Sequence, residues 1–223
     1  MQDVKLSENL RQARHTQLAL AQQVRIEALG VQPCLVAGVD AAFSDNKVIG
    51  SACLFDYNTL HKVHEVSVVQ EVEFPYVPGF LSFREAPVII GAIKLLQTPP
   101  DLIIVDGQGI AHPRRIGLAS HIGVLLGIPT VGCAKSRLIG IYQEPGPHKG
   151  NWQYLYDKEQ QIGAVLRSRD NVSPLYISPG HLIDISGCLD VILHTTTRYR
   201  LPEPIRCAHN LSAQNKRLVT WQT

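Results

Sequence analysis

Three carboxylates in this chain stand where an unpaired charge is costly. Asp40 lies in the apolar sequence VAGVDAAF, and Asp106 ends the β-branched run Leu102, Ile103, Ile104, Val105. Glu85 follows Arg84 two residues before Pro87. Such runs suit buried strands, and a bare carboxylate within them has to be compensated. If the two strands are neighbours, the aspartates lie about one strand spacing apart, ~4.8 Å. That separation compares well with the ~3.5–4 Å between ions in two-metal phosphodiesterases. Two carboxylates so close repel, so either one is protonated or a cation neutralises both. Oxygen ligands from Asp40, Asp106 and Glu85 favour Mg²⁺ or Mn²⁺. The alternative is that these acids pair with arginines or cap turns.

Cations and an aromatic accompany the acids. His112, Arg114, Arg115, Lys135 and Arg137 follow Asp106; they suit either a phosphodiester backbone or a solvated loop face. Tyr76 stands in the stiff tetrapeptide Pro75 to Pro78, which aims its ring. That ring could stack on an unpaired base or fill the gap left by one, whereas Phe74, Phe80 and Phe83 read as core. His209 by itself reads as a packed histidine. Other motifs fail, which disfavours nucleophilic serine chemistry. Gly107-Gln108-Gly109 opens no dinucleotide fingerprint, Gly132 to Ser136 lacks the glycines of a phosphate loop, and neither GxSxG nor HExxH is present.

The positioning elements follow from periodicity. Leu6 to Leu29 carries no Gly or Pro and predicts an amphipathic helix lying on a sheet. Leu35 to Val39, Val48 to Phe55 and Val63 to Val72 read as an antiparallel meander. Pro87 places a helix start near Arg84 and Glu85, because proline is tolerated in a first turn. Leu102 to Val105 and Ile128 to Val131 are further strands, and Trp152 to Tyr156 with Ile162 to Arg167 form a hairpin. Leu175 to Ile177 is a short strand before a turn at Pro179 and Gly180, and helices are expected over Ile185 to Leu193 and from Pro204. Residues from about 213 are expected at the periphery. At 223 residues and 45% hydrophobic content, one α/β domain is expected. No run reaches the ~18 apolar residues of a membrane helix, and no signal-peptide core is present, so a cytoplasmic protein is expected. Five cysteines without CxxC spacing read as reduced core thiols. The formal charge of +2 does not by itself indicate nucleic acid.

VAGVDAAF, PYVPGFLSFRE, DLIIVDGQGIAHPRRIGLASH, GIPTVGCAKSRLIG and YRLPEPIRCAH together resemble the endonuclease V family of DNA repair nucleases, over residues 34 to about 212. The resemblance implies an RNase H-like fold, a central mixed β-sheet flanked by α-helices. It implies Mg²⁺-dependent cleavage at the second phosphodiester bond 3′ to a deoxyinosine, leaving 3′-hydroxyl and 5′-phosphate ends. Asp40, Asp106 and Glu85 match the family's catalytic and metal-binding acids, and His209 falls near the metal site. Tyr76 matches a wedge tyrosine between Pro75 and Pro78, with Val77 replacing the family's Ile. His112 and Lys135 match polar residues near the scissile phosphate and the lesion. Gly79, Leu81, Gly107 and Leu138 match the lining of a pocket for the flipped base, and Gln108 stands where some relatives carry His. The implied partner is single- or double-stranded DNA with deaminated bases, bound by a monomer; Mn²⁺ is a substitute cofactor. The rivals are an inosine-directed ribonuclease, another RNase H-like nuclease such as a junction resolvase, and a lesion-binding module without catalysis.

Overall fold

The computed structural model describes residues 2–220. Eight strands form one mixed sheet in the order β3-β2-β1-β4-β5-β8-β7-β6. β1 (Leu35–Ser44), β2 (Lys47–Asp56) and β3 (Lys62–Glu71) are the expected antiparallel meander. β4 (Leu102–Val105) and β5 (Thr130–Ala134) run parallel to β1 and to each other, respectively. β8 (Leu175–His181) returns antiparallel on β5, and the hairpin of β6 (Trp152–Asp157) and β7 (Gln160–Leu166) closes that edge. This is the mixed sheet flanked by helices that the resemblance implies.

Strand alternation builds two cores. Val36 of β1 with Leu102 and Ile104 of β4 faces α4 (Ile185–Thr195) and α5 (Glu203–Thr220), where Leu189, Ile192, Ile205 and Ala208 are buried. Ala37 and Val39 with Ile103 and Val105 face α2 (Leu81–Lys94) and α3 (Leu118–Leu126). The even-numbered positions of β1 and β4 therefore point toward α5, and Asp40 and Asp106 continue that series.

Proline misled the reading twice. α2 begins at Leu81, four residues before Glu85, and continues through Pro87. Proline there forgoes one backbone bond to Phe83, but Ala86, Val88, Ile89 and Ala92 are buried on the sheet, and that burial outweighs the lost bond. Glu85 thus sits in the second turn, not at the N-terminus. Likewise β8 runs through Pro179 and Gly180 to His181: Pro179 pairs with Val131 and His181 with Thr130, and the register shift between them leaves Gly180 as the extra residue. α1 (Gln2–Ala21) ends eight residues short of Leu29, since no Gly or Pro marks where the helix stops.

His121 of α3 is buried against Ser82 Oγ at 3.0 Å, with Phe83 edge-on to its ring. Burial pulls its pKa down to about 4. The unfolded chain therefore binds the extra proton between about pH 6.5 and pH 4, and stability falls as acid is added through that window. The full loss is about 3 kcal/mol below pH 4. The drop in Tm from pH 7 to pH 4.5 should be smaller in His121→Asn than in the wild type. Among the described residues no helix is long and apolar enough to cross a membrane.

Candidate active site at the ends of the central strands

The parallel pairing of β1 with β4 puts Val39 opposite Val105, and the Asp106 amide donates to the Val39 carbonyl at 3.3 Å. The next residue on each strand is an aspartate, so the two carboxylates are neighbours by register. α5 supplies the third group. Donor atoms of Asp40, Asp106 and His209 all lie within 4.8 Å of one another. His209 Nδ1 is 3.1 Å from Asp40 Oδ2, and Ser212 Oγ donates to the same oxygen at 2.8 Å. Asp40 is thereby oriented by two residues one helical turn apart. The sequence reading missed Ser212, although its i+3 spacing from His209 was available.

Gly38 explains how α5 comes so close. A Cβ at that position would sit 2.0 Å from the carbonyl carbon of Pro204 and 2.4 Å from the Ile205 nitrogen. Only glycine admits this contact, and the contact sets the height of the helix over Asp40.

Lys135 follows β5, and its Nζ donates to Asp106 Oδ2 at 2.5 Å. Burial pushes the Asp106 carboxyl up, while Lys135 draws it back down. Glu85 arrives from the α2 side of the sheet. Burial first, then the charges of Asp40 and Asp106, push its carboxyl up to about 8. Asp40 and Asp106 with the His209 imidazole fit a hard divalent cation; Glu85 lies outside that donor group, and an ion there would relieve the part of its shift that the two aspartate charges cause.

Beside this centre lies a cavity of about 200 Å³. Gly79, Leu81, Gly107 and Leu138 line it, as do Tyr76, Pro78, Gln108 and His112. Its floor is the glycine turn after β4. Gly109 donates to Ser178 Oγ at 2.8 Å, and a Cβ on Gly109 would lie 2.0 Å from the Pro179 carbonyl oxygen. Gln108 donates to the Ser136 carbonyl at 3.0 Å. At the rim Tyr76 is 71% exposed, with the Arg84 guanidinium 5.8 Å from its ring centroid. An exposed tyrosine in a rigid loop is not part of the core, whereas Phe74, Phe80 and Phe83 pack on one another.

The basic residues divide into different roles. Arg114 donates to the Gly79 carbonyl and to Gln17 Oε1, both at 2.5 Å, and lies 4.5 Å over the Phe80 ring. It braces the tyrosine loop from inside. Gln17 of α1 is fully buried there and also donates to Gly79. Arg115 is engaged by Asp157 at 2.6 Å and by Gln160. His112 is buried, and burial with the nearby Arg114 charge lowers its pKa to about 4, so it is an uncharged partner near neutral pH. Arg137 donates to the Gly140 carbonyl at 3.1 Å, and Arg200 to those of Lys135 and Pro174.

An α/β sheet with an acidic centre where its parallel strands end, and an apolar cavity alongside, defines an enzyme of the phosphodiester-cleaving kind. Residues 18–210 match the Endonuclease V family. The chain is 51% identical over 209 residues to an endonuclease V of Geotalea uraniireducens, covering 94% of this chain and 89% of that protein. The endonuclease V structure from Streptomyces avermitilis superposes with a TM-score of 0.90 at 40% identity, over 94% of each chain. That of Ciona intestinalis, in complex with a 24mer DNA containing an inosine followed by a ribo-adenosine, shares the fold with a TM-score of 0.84 at 24% identity, over 95% of this chain and 99% of that one. This chain belongs to the endonuclease V family and is an endonuclease.

Proposed function

We propose that the substrate is DNA carrying a deaminated base, chiefly deoxyinosine, and that the enzyme hydrolyses the second phosphodiester bond on its 3′ side. The observation that supports this most is the adjacency of the acidic centre to a base-sized cavity with Tyr76 at its rim. An endonuclease V of known structure holds inosine-containing DNA, which agrees with that reading.

Asp40, Asp106 and His209, with Glu85, would hold Mg²⁺ or Mn²⁺. When bound, the ion supplies an activated water and charge neutralisation at the phosphate. The chain's own residues do the rest. Ser212 and His209 fix the Asp40 carboxylate, and Lys135 balances Asp106 while placing its ammonium where a phosphate oxygen would lie. Tyr76 occupies the gap left in the stack, and the flipped base enters between Gly79, Leu81, Gly107 and Leu138. Arg114 and Gln17 hold the loop that aims Tyr76. His112, uncharged, lines the cavity and accepts from the Arg114 amide through Nδ1, which ties the basic loop to the pocket wall.

Tyr76→Ala should weaken binding to a deoxyinosine duplex about tenfold, the worth of one stacking contact, and binding to undamaged duplex much less. Equal weakening of both would remove the wedge role. Substrate class is tested by matched oligonucleotides with one central inosine, as duplex DNA and as single-stranded RNA. Faster Mg²⁺-dependent nicking of the DNA is expected; preference for the RNA would replace this reading with an inosine-directed ribonuclease.

A further inference from the structure

A second group of metal-type donors lies on the same face of the sheet, away from the catalytic acids. Cys53 of β2 and Glu65 of β3 are cross-strand partners, and Cys207 of α5 closes over them. Donor atoms of the three lie within 4.8 Å of one another. Glu65 Oε2 is 4.0 Å from Cys53 Sγ and 3.7 Å from Cys207 Sγ. Tetrahedral zinc with Zn–S of ~2.3 Å and Zn–O of ~2.1 Å requires S···O edges of ~3.6 Å and an S···S edge of ~3.8 Å. The two S···O edges meet that geometry after shifts of a few tenths of an ångström, and the two sulfurs lie within 4.8 Å of each other.

We propose that Cys53, Glu65 and Cys207 form a binding site for one soft divalent cation of the zinc and cadmium class, which ties α5 to β2 and β3. Thiolate donors select such ions against Mg²⁺, so this site and the catalytic carboxylates discriminate by chemistry. Charge supports the assignment. Two thiolates and one carboxylate carry three negative charges, which one dication and Lys62 neutralise; Lys62 Nζ is 2.8 Å from Glu65 Oε2. The thiol protons leave to solvent as the ion binds. Cys53 is fully buried, but Glu65 and Lys62 have side chains 39% and 46% exposed, so an ion enters from their side and keeps one coordination position open to water. The same helix holds His209 and Ser212 against Asp40, so the ion would fasten the helix that completes the catalytic centre.

The sequence could not reveal this group, because its members come from three elements with no metal-binding spacing. The test is a cadmium titration of the reduced full-length protein, followed by sulfur-to-cadmium charge-transfer absorption in the ultraviolet, which is blind to carboxylate sites. The wild type should saturate at one equivalent and gain thermal stability. Cys207→Ser should bind at least tenfold more weakly, while Cys34→Ser, which alters the exposed thiol outside the group, should titrate like the wild type. Circular dichroism of Cys207→Ser without metal should match the wild type, so that loss of the band reports the site and not the fold. No charge-transfer band in the wild type, or an undiminished band in Cys207→Ser, would overturn the proposal. So would a Cys53–Cys207 disulfide as the stable form of the isolated protein under reducing conditions.

Discussion

Asp106→Asn is expected to lower Mg²⁺-dependent nicking of a deoxyinosine duplex by roughly a thousandfold while leaving the protein folded. The carboxylate faces Asp40 across one strand spacing and accepts from Lys135 at 2.5 Å. In the proposed site, removing its charge would withdraw a ligand from the cation and leave Lys135 without its anion. A metal-held centre contributes several kcal/mol to the transition state, which converts to about that factor. Stability should not fall, because burial already disfavours the charged form of Asp106 and the amide is isosteric. Single-turnover nicking with Tm measured on the same preparation checks both halves. Near wild-type nicking would remove Asp106 from the chemistry; a collapsed Tm would make it a structural residue.

Gly38→Ala should be strongly destabilising for a single added methyl group. Its Cβ would fall 2.0 Å from the Pro204 carbonyl carbon and 2.2 Å from the oxygen, and both are backbone atoms that cannot rotate aside. Either β1 or α5 has to move. Overpacking of this kind costs about 3 kcal/mol, a fall in Tm of about 10 °C for a chain of this length. Nicking should fall further than the fraction unfolded accounts for, since α5 carries His209 and Ser212 onto Asp40. A variant with unchanged Tm and activity would show that the helix height does not matter.

Of these two positions only Asp106 was legible in the sequence; the closeness of Gly38 to α5 was not. Asp40 and Asp106 stood out because charge within or at the end of a buried apolar run needs compensation, and the β1–β4 register then placed them side by side. The meander, the β6–β7 hairpin and the α4 helix followed from periodicity and turn residues. The helix over Pro87 and the strand over Pro179 did not, because local rules assign proline to first turns and breaks. Tertiary burial carried α2 through the first, and a register shift absorbed the second. Ser212, Gln17 and the Cys53–Glu65–Cys207 group were illegible for another reason. Each acts through a partner far away in the chain; only Ser212 had a local cue, its i+3 spacing from His209, and that spacing does not name Asp40 as the partner. Arg114 stood out for its charge and its place beside Asp106. The structure spends that charge on Gly79 and Gln17, holding the tyrosine loop.

In the proposed function the acidic centre and the neighbouring cavity act together on one lesion at a fixed distance. This is tested most directly by mapping the nick in an end-labelled duplex with a single deoxyinosine, in Mg²⁺ and in EDTA. One product is expected, cut at the second phosphodiester bond 3′ to the lesion with a 3′-hydroxyl and a 5′-phosphate, formed in Mg²⁺ and absent in EDTA. Cleavage at scattered positions, or cleavage that survives EDTA, would contradict it.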